Sequence, residues 1–394
     1  MKILYHIPNL SQENGGIRQY AVALLRILAQ DKSNEYFVLH NVNDPQVMQV
    51  LEEFPHLHHV PPTFGRERKL EKLRTDIGTV FNYILLLAKR QKLASTSYIN
   101  RICRKYKIDI VHCPHQFAAV TNRKVICTMH DVQELHFPEF FSPRDRFVRA
   151  FDYLDALDRA DKVVVSYQHI KDDLLKYFDG LKEDDIQVCL LEMQNLWFEK
   201  LTTADQVDLS TLDYPDRFLL YPANTWPHKN HKNLVEAVHL LAQSDKHVNV
   251  ICTGHQRDYY HEEIAPLIEK YQLKDQFIFP SIVDEKQLYT LYQKCVGVVV
   301  PTLYEAGSFP LMESILMNVP VICAKTTSLP ETIGNQEFVF SPTDPNKIAE
   351  LMWKLWNEED FRTKAKANNL ERQPYLTNTN SLGIMQSIYQ SLSA

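Results

Sequence analysis

Short apolar runs, rich in Val and Ile, alternate with longer amphipathic stretches along most of the chain. Runs that are apolar at every position, rather than at every second one, suit strands of a parallel sheet covered by helices on both faces. In the first half they predict strands over residues 2–7, 36–40, 108–112, 125–128 and 162–166. A helix is predicted over 16–29, with Tyr20, Leu24, Leu25, Ile27 and Leu28 as its apolar side. The second half repeats the scheme, with strands over 218–221, 248–253, 277–279, 297–301 and 319–323 and helices between them. Residues 199–216 are polar, rich in Thr and Asp and without periodicity, which predicts a linker. Beyond the helix breaker Pro374, the apolar positions Leu382, Ile384, Met385, Ile388 and Leu392 predict a terminal helix that leaves the second domain. The expected organisation is therefore 1–205 and 206–373 as two doubly wound α/β domains, with 374–394 packing back on the first. Such sheets take ligands at the carboxyl ends of their strands, so a ligand in a cleft is expected.

A length of 394 residues agrees with more than one core. The net charge of -6 argues against a nucleic-acid partner, which would need a basic face. The seven cysteines are odd in number, contain no CxxC pair and fall largely in strand-like runs. They read as small apolar core residues in a reducing cytosol. The N-terminus reads as a first strand, since no long apolar segment follows Lys2. The apolar stretch 80–88, interrupted by Asn82, is far short of the ~20 residues a spanning helix needs. A cytoplasmic location is expected.

Residues 298–324 carry most of the chemistry and read as strand, loop, helix, tight turn, strand. Pro310 suits a first helical turn, where its missing N–H is not needed. Gly307 allows close approach of the backbone to a ligand, and the free amides around Ser308 and Phe309 make an anion site suited to a diphosphate. Glu305 in the loop and Glu313 in the first turn can both face one cleft, and each carboxylate can accept two sugar or ribose hydroxyls. Spacing alone does not discriminate: Glu350 and Glu358 share the same interval on an ordinary amphipathic helix. The structural alternative for Glu313 is an acid that complements the helix dipole.

Glu305, Gly307, Phe309, Pro310, Glu313 and the following Pro320 and Val321 together resemble the signature of the group 1 retaining glycosyltransferases. That resemblance runs over nearly the whole chain. It implies the GT-B fold, two Rossmann-like domains facing a central cleft. It also makes Gly15 and Gly16 the loop whose amides touch the donor phosphates, and His130 a residue beside the donor sugar. The family places an Arg and then a Lys on the loop after the first strand of the second domain. Lys229 matches the Lys, but Ala223 stands at the Arg position. His228, Arg257 and Arg18 are candidates to replace it. The wording around Lys229 resembles a branch that assembles bacterial polysaccharides, including O-antigen mannosyltransferase-like enzymes. Gly254 and Ile282 lie on the loops that hold the nucleotide in this fold. Ser328 to Glu331 matches a family loop and equally a capping box. His112, at a strand end, is read as structural.

The resemblance implies a retaining hexosyltransferase that uses a nucleoside-diphosphate sugar, with GDP-mannose as the guess from similarity. The acceptor would be a glycan or a lipid-linked sugar. Lys229 and helix-end amides would stabilise the departing diphosphate. No cofactor and no metal are expected, because Asp-x-Asp is absent from the sequence. Two alternatives stay open: a nucleotide-sugar epimerase of the same fold, or a silent nucleotide-sugar-binding subunit. A nicotinamide oxidoreductase is disfavoured by the lack of Gly-x-Gly-x-x-Gly. Residues 61–107 hold 12 Lys and Arg against three acids, interleaved with an apolar stripe at helical spacing. That is either an interfacial helix for an anionic membrane, making the protein peripheral, or a solvated face of a helix packed on its own sheet.

Overall fold

In a computed structural model the described residues are 1–7, 15–40, 44–61, 98–193 and 197–393. The chain divides into two compact units, 1–191 with 380–394, and 192–379. The first contains the strands β1 Lys2–Ile7, β2 Glu35–His40, β3 His58–Val60, β4 Ile110–Cys113, β5 Lys124–Thr128, β6 Lys162–Val165 and β7 Ile186–Val188. They pair in parallel in the order β3-β2-β1-β4-β5-β6-β7. The second contains β8 Leu219–Pro222, β9 Val250–Thr253, β10 Phe277–Ser281, β11 Gly297–Val300, β12 Val321–Ala324 and β13 Val339–Phe340, in the order β10-β9-β8-β11-β12-β13. Central strands are buried on both faces; Val298, Val299 and Val300 of β11 are fully enclosed. This is the setting in which unbroken β-branched runs are favoured. Each sheet reverses its winding once, between β1 and β4 and between β8 and β11, and such switch points hold ligands beyond the strand ends.

The domain limits differ from the expectation at both crossings. The segment 199–216 is part of the second unit rather than a free linker. Its short turns Thr203–Asp205 and Leu209–Thr211 are fixed by Lys286 on Asp205 at 3.1 Å and by Val207 N–H on Thr290 Oγ1 at 3.0 Å. At the other crossing, Pro374 does not break the chain: the helix Glu359–Thr377 runs through it. Pro374 stands in the last turn, and the carbonyl that loses its donor belongs to the exposed Leu370, where water is available. The terminal helix Ser381–Ser391 belongs to the first unit. Met385, Ile388 and Tyr389 enter its core, and Tyr389 pairs with His112 Nδ1 at 2.7 Å. That contact and full burial keep His112 structural, with its pKa lowered to about 3. All seven cysteines are free, and all but Cys295 are fully buried. Most of the segment 61–107 lies outside the described residues.

Candidate active site

In the second unit, two loops meet at the switch point. The loop after β8 ends in a single 3-10 turn, Pro227–Lys229, closed by Asn230 at φ 62°. Asn tolerates this left-handed conformation, and its side-chain amide donates to the carbonyls of Pro301 and Pro342, both at 2.8 Å. Tyr221 OH donates to the Lys229 carbonyl at 2.9 Å. The carbonyl of His228 accepts from Leu303 N–H at 2.7 Å and from Thr302 Oγ1 at 2.9 Å, which ties this loop to the one after β11. Glu305 is fastened by the loop after β12: its N–H donates to Thr327 Oγ1 at 3.2 Å, and its carbonyl accepts from the same hydroxyl at 2.7 Å. Thr327 has φ 44°, an uncommon conformation for a β-branched residue and one that concentrates at functional sites. The result is a fixed ion pair between Lys229 Nζ and the Glu305 carboxylate. Burial pushes the Glu305 carboxyl above its ordinary pKa, and Lys229 pulls it back.

Glu313 sits one turn further into the helix Phe309–Leu316 than the sequence suggested, so the dipole-complementing alternative does not apply to it. Its carboxylate accepts from Trp197 Nε1 and from Tyr292 OH, each at 2.7 Å. Burial raises this carboxyl too, with the two donors acting against the shift. At the start of the same helix Pro310 occupies the first turn as expected, and no side chain caps the end. Ser308 is buried and its hydroxyl finds no partner among the described residues. An uncapped helix start with a spare hydroxyl is a place for an anion. Phe309, in the first turn of that helix, and Ile282, just past β10, are exposed. Gly254 has φ 119°, and a Cβ there would stand 2.7 Å from the carbonyl carbon of Ala223, so no other residue fits.

In the first unit, Gly15 and Gly16 open the helix Gly15–Leu28 after β1. A Cβ on Gly16 would meet nothing within 4 Å, so the chain itself does not demand glycine there. Arg18 is held by Asp44 through two bonds at 2.6 and 2.7 Å. His130, past the end of β5, packs edge-on against Tyr20 with ring centres 4.7 Å apart, and its Nε2 lies 3.3 Å from the Pro114 carbonyl. Burial lowers its pKa to about 4, so it is a neutral imidazole at pH 7.

Residues 14–189 match the Glycosyltransferase Family 4 domain, and residues 208–372 match Glycosyl transferases group 1. The chain belongs to the group 1, family 4 glycosyltransferases. The transferase is 24% identical over 380 residues to O-antigen chain mannosyltransferase B of Escherichia coli, with 94% of each chain covered. It is 27% identical over 256 residues to the serotype-specific mannosyltransferase WbdA of Escherichia coli, across 63% of this chain and 31% of that longer protein. Among solved structures it is similar to a glycosyltransferase from Rickettsia africae, with a TM-score of 0.68, 20% identity and 99% and 98% of the two chains covered. Anabaena HepE, solved with UDP and glucose, gives a TM-score of 0.67 at 18% identity, with 100% and 99% covered. These likenesses establish the GT-B fold of the transferase.

Of the residues read from its sequence, the fold brings Lys229 and Glu305 into direct contact, while Glu313 is held by other partners. Ser328 does not form the capping box that its sequence allowed. It makes no side-chain cap for the helix Leu329–Ile333, and its hydroxyl turns to the Glu305 carbonyl at 3.3 Å. His228 cannot serve as the missing cation of the transferase, because burial and the neighbouring Lys229 lower its pKa to about 3. Trp197, Tyr292 and Thr327 were not foreseen. Trp197 left one signal, an aromatic pair with Phe198 at the edge of a polar connecting segment.

Proposed function

We propose that the transferase moves a hexose from a nucleoside-diphosphate sugar to a glycan or lipid-linked acceptor, with retention of configuration, in the assembly of a bacterial surface polysaccharide. The observation that carries this reading is the Lys229–Glu305 pair at the winding switch of the second sheet. An ammonium has three donors. With one on Glu305, Lys229 keeps the others for a phosphate oxygen, while the open end of the helix Phe309–Leu316 supplies amides. As the anomeric bond breaks, both act on charge that develops on the leaving diphosphate. Glu305 orients hydroxyls of the sugar, and Glu313, with free lone pairs beyond its two donors, those of the ribose. The family resemblance supports front-face attack, in which the departing phosphate takes the acceptor proton. Mannose as the sugar and GDP as its carrier are supported by the names of the relatives. Metal independence rests on the missing Asp-x-Asp. Docking on an anionic membrane through 61–107 rests on its local charge.

The test is a proton NMR spectrum of the glycoside formed from a panel of nucleotide sugars, recorded with and without excess chelator. The expected product keeps the donor configuration, and chelator leaves the rate unchanged. An inverted product would remove the retaining mechanism, and a rate abolished by chelator and restored by a divalent cation would remove the metal-free one.

A further inference from the structure

We infer that Arg257 is the second cation of the donor site, and that its guanidinium binds the diphosphate in place of the arginine absent from position 223. This rests on the nucleoside-diphosphate reading of the second unit. A nucleotide sugar brings two phosphate charges, and the leaving group gains another. Lys229 is already matched by Glu305, so the pair together is close to neutral. The basic groups on either side of Lys229 in sequence are spent or uncharged. His228 is neutral at pH 7, and Lys232 is paired with Glu263 at 2.7 Å.

Arg257 differs from all of these. It stands on the loop after β9, which is laced to the loop carrying Lys229. Its N–H donates to Thr225 Oγ1 at 2.8 Å, His255 N–H to Asn224 Oδ1 at 2.7 Å, and Thr225 N–H to the His255 carbonyl at 3.0 Å. The guanidinium carbon lies 4.7 Å from the ring centre of Trp226, three residues before Lys229 in sequence, a cation–π contact. Its Nε is buried without a hydrogen-bond partner among the described residues, and no described carboxylate pairs with it. A buried donor without an acceptor is unfavourable. Nε itself is enclosed, so the terminal nitrogens of the half-buried Arg257 are the donors left for phosphate oxygens. The cation–π contact with Trp226 restrains the guanidinium, which lowers the ordering cost when the ligand arrives.

Calorimetric titration with GMP, GDP, UMP and UDP tests this, on the wild type and on Arg257→Ala, Arg257→Lys and Lys325→Ala. Lys325, exposed beyond β12, is the competing cation. The expected result is that the wild type prefers one diphosphate over its monophosphate. Arg257→Ala should weaken that diphosphate by about tenfold or more while leaving the monophosphate unchanged. Arg257→Lys should recover part of the loss, and Lys325→Ala none of it should show. Wild-type diphosphate affinity in Arg257→Ala, an equal loss of both nucleotides, or a loss in Lys325→Ala instead would overturn the inference alone. A wild type with no preference for either diphosphate would overturn the donor reading with it.

Discussion

Replacing Lys229 by Ala leaves the Glu305 carboxylate buried without its counter-charge, and the cost of that can be bounded. Glu305 is 9% exposed, and its pKa is already raised from the ordinary 4.5. In the variant it either stays charged in a poorly solvated place or takes a proton. At pH 7 a carboxyl of ordinary pKa requires about 3.4 kcal/mol to protonate, at 1.36 kcal/mol per pH unit. Burial lowers that figure, so the loss of stability should stay below about 3 kcal/mol, at the low edge of what breaking a buried pair costs. The sign of the pH dependence follows from the raised pKa. The folded state binds the proton more tightly than the unfolded chain, so this contribution is present at low pH and is lost as pH rises through the folded pKa. The deficit of Lys229→Ala should therefore be small at pH 5 and larger at pH 8. Adding Glu305→Gln should remove most of it, because no charge remains to be buried. Urea unfolding followed by tryptophan emission reads this directly, since all four tryptophans, at 197, 226, 353 and 356, lie in the second unit. A deficit equal at both pH values, or a double variant no more stable than the single one at pH 8, would refute the reasoning. In activity, loss of the ammonium should cost on the order of a hundredfold in turnover.

Three further outcomes are expected. Glu313→Gln should reduce turnover by about a hundredfold, whereas Glu350→Gln should not, because that carboxylate serves Lys347 at 2.8 Å and Lys354 at 3.1 Å on an exposed face; initial rates of the two variants decide. Gly254→Ala should destabilise the second unit by about 2 kcal/mol or more, from a left-handed φ and backbone overlap with Ala223, and an unchanged urea midpoint would contradict it. Anionic vesicles should sediment the wild type at low salt and release it at high salt. Changing Arg66, Arg68, Lys69, Lys72 and Arg74 to Gln should abolish that binding, and no sedimentation at low salt would end the membrane proposal.

The central strands were readable because buried parallel strands demand unbroken apolar runs, as in Val298, Val299 and Val300. The strands left unread, β3, β7 and β13, are two or three residues long and lie at sheet edges, where one neighbour suffices and no run accumulates. The helix through Pro374 was misread because a proline in a last turn removes a single bond, which packing of the rest of the helix outweighs. Within the site, Glu305 and Lys229 stood out by chemical type and place. Their supports could not, since Thr327 and Asn230 act through contacts between loops distant in sequence. The same holds for Trp197, which reaches Glu313 across 116 positions.

The central claim is that this chain transfers a sugar from a nucleoside-diphosphate donor, with Lys229 and Glu305 acting on the bond that breaks. The most direct measurement is the release of nucleoside diphosphate from a panel of nucleotide sugars, with and without an oligosaccharide acceptor, in the wild type and in Lys229→Ala. Release that requires acceptor, matches the glycoside formed mole for mole and falls about a hundredfold in the variant is the predicted result. Diphosphate released without acceptor and without glycoside would point to an epimerase-like reaction. Tight binding of a nucleotide sugar with no turnover on any acceptor would contradict the claim outright.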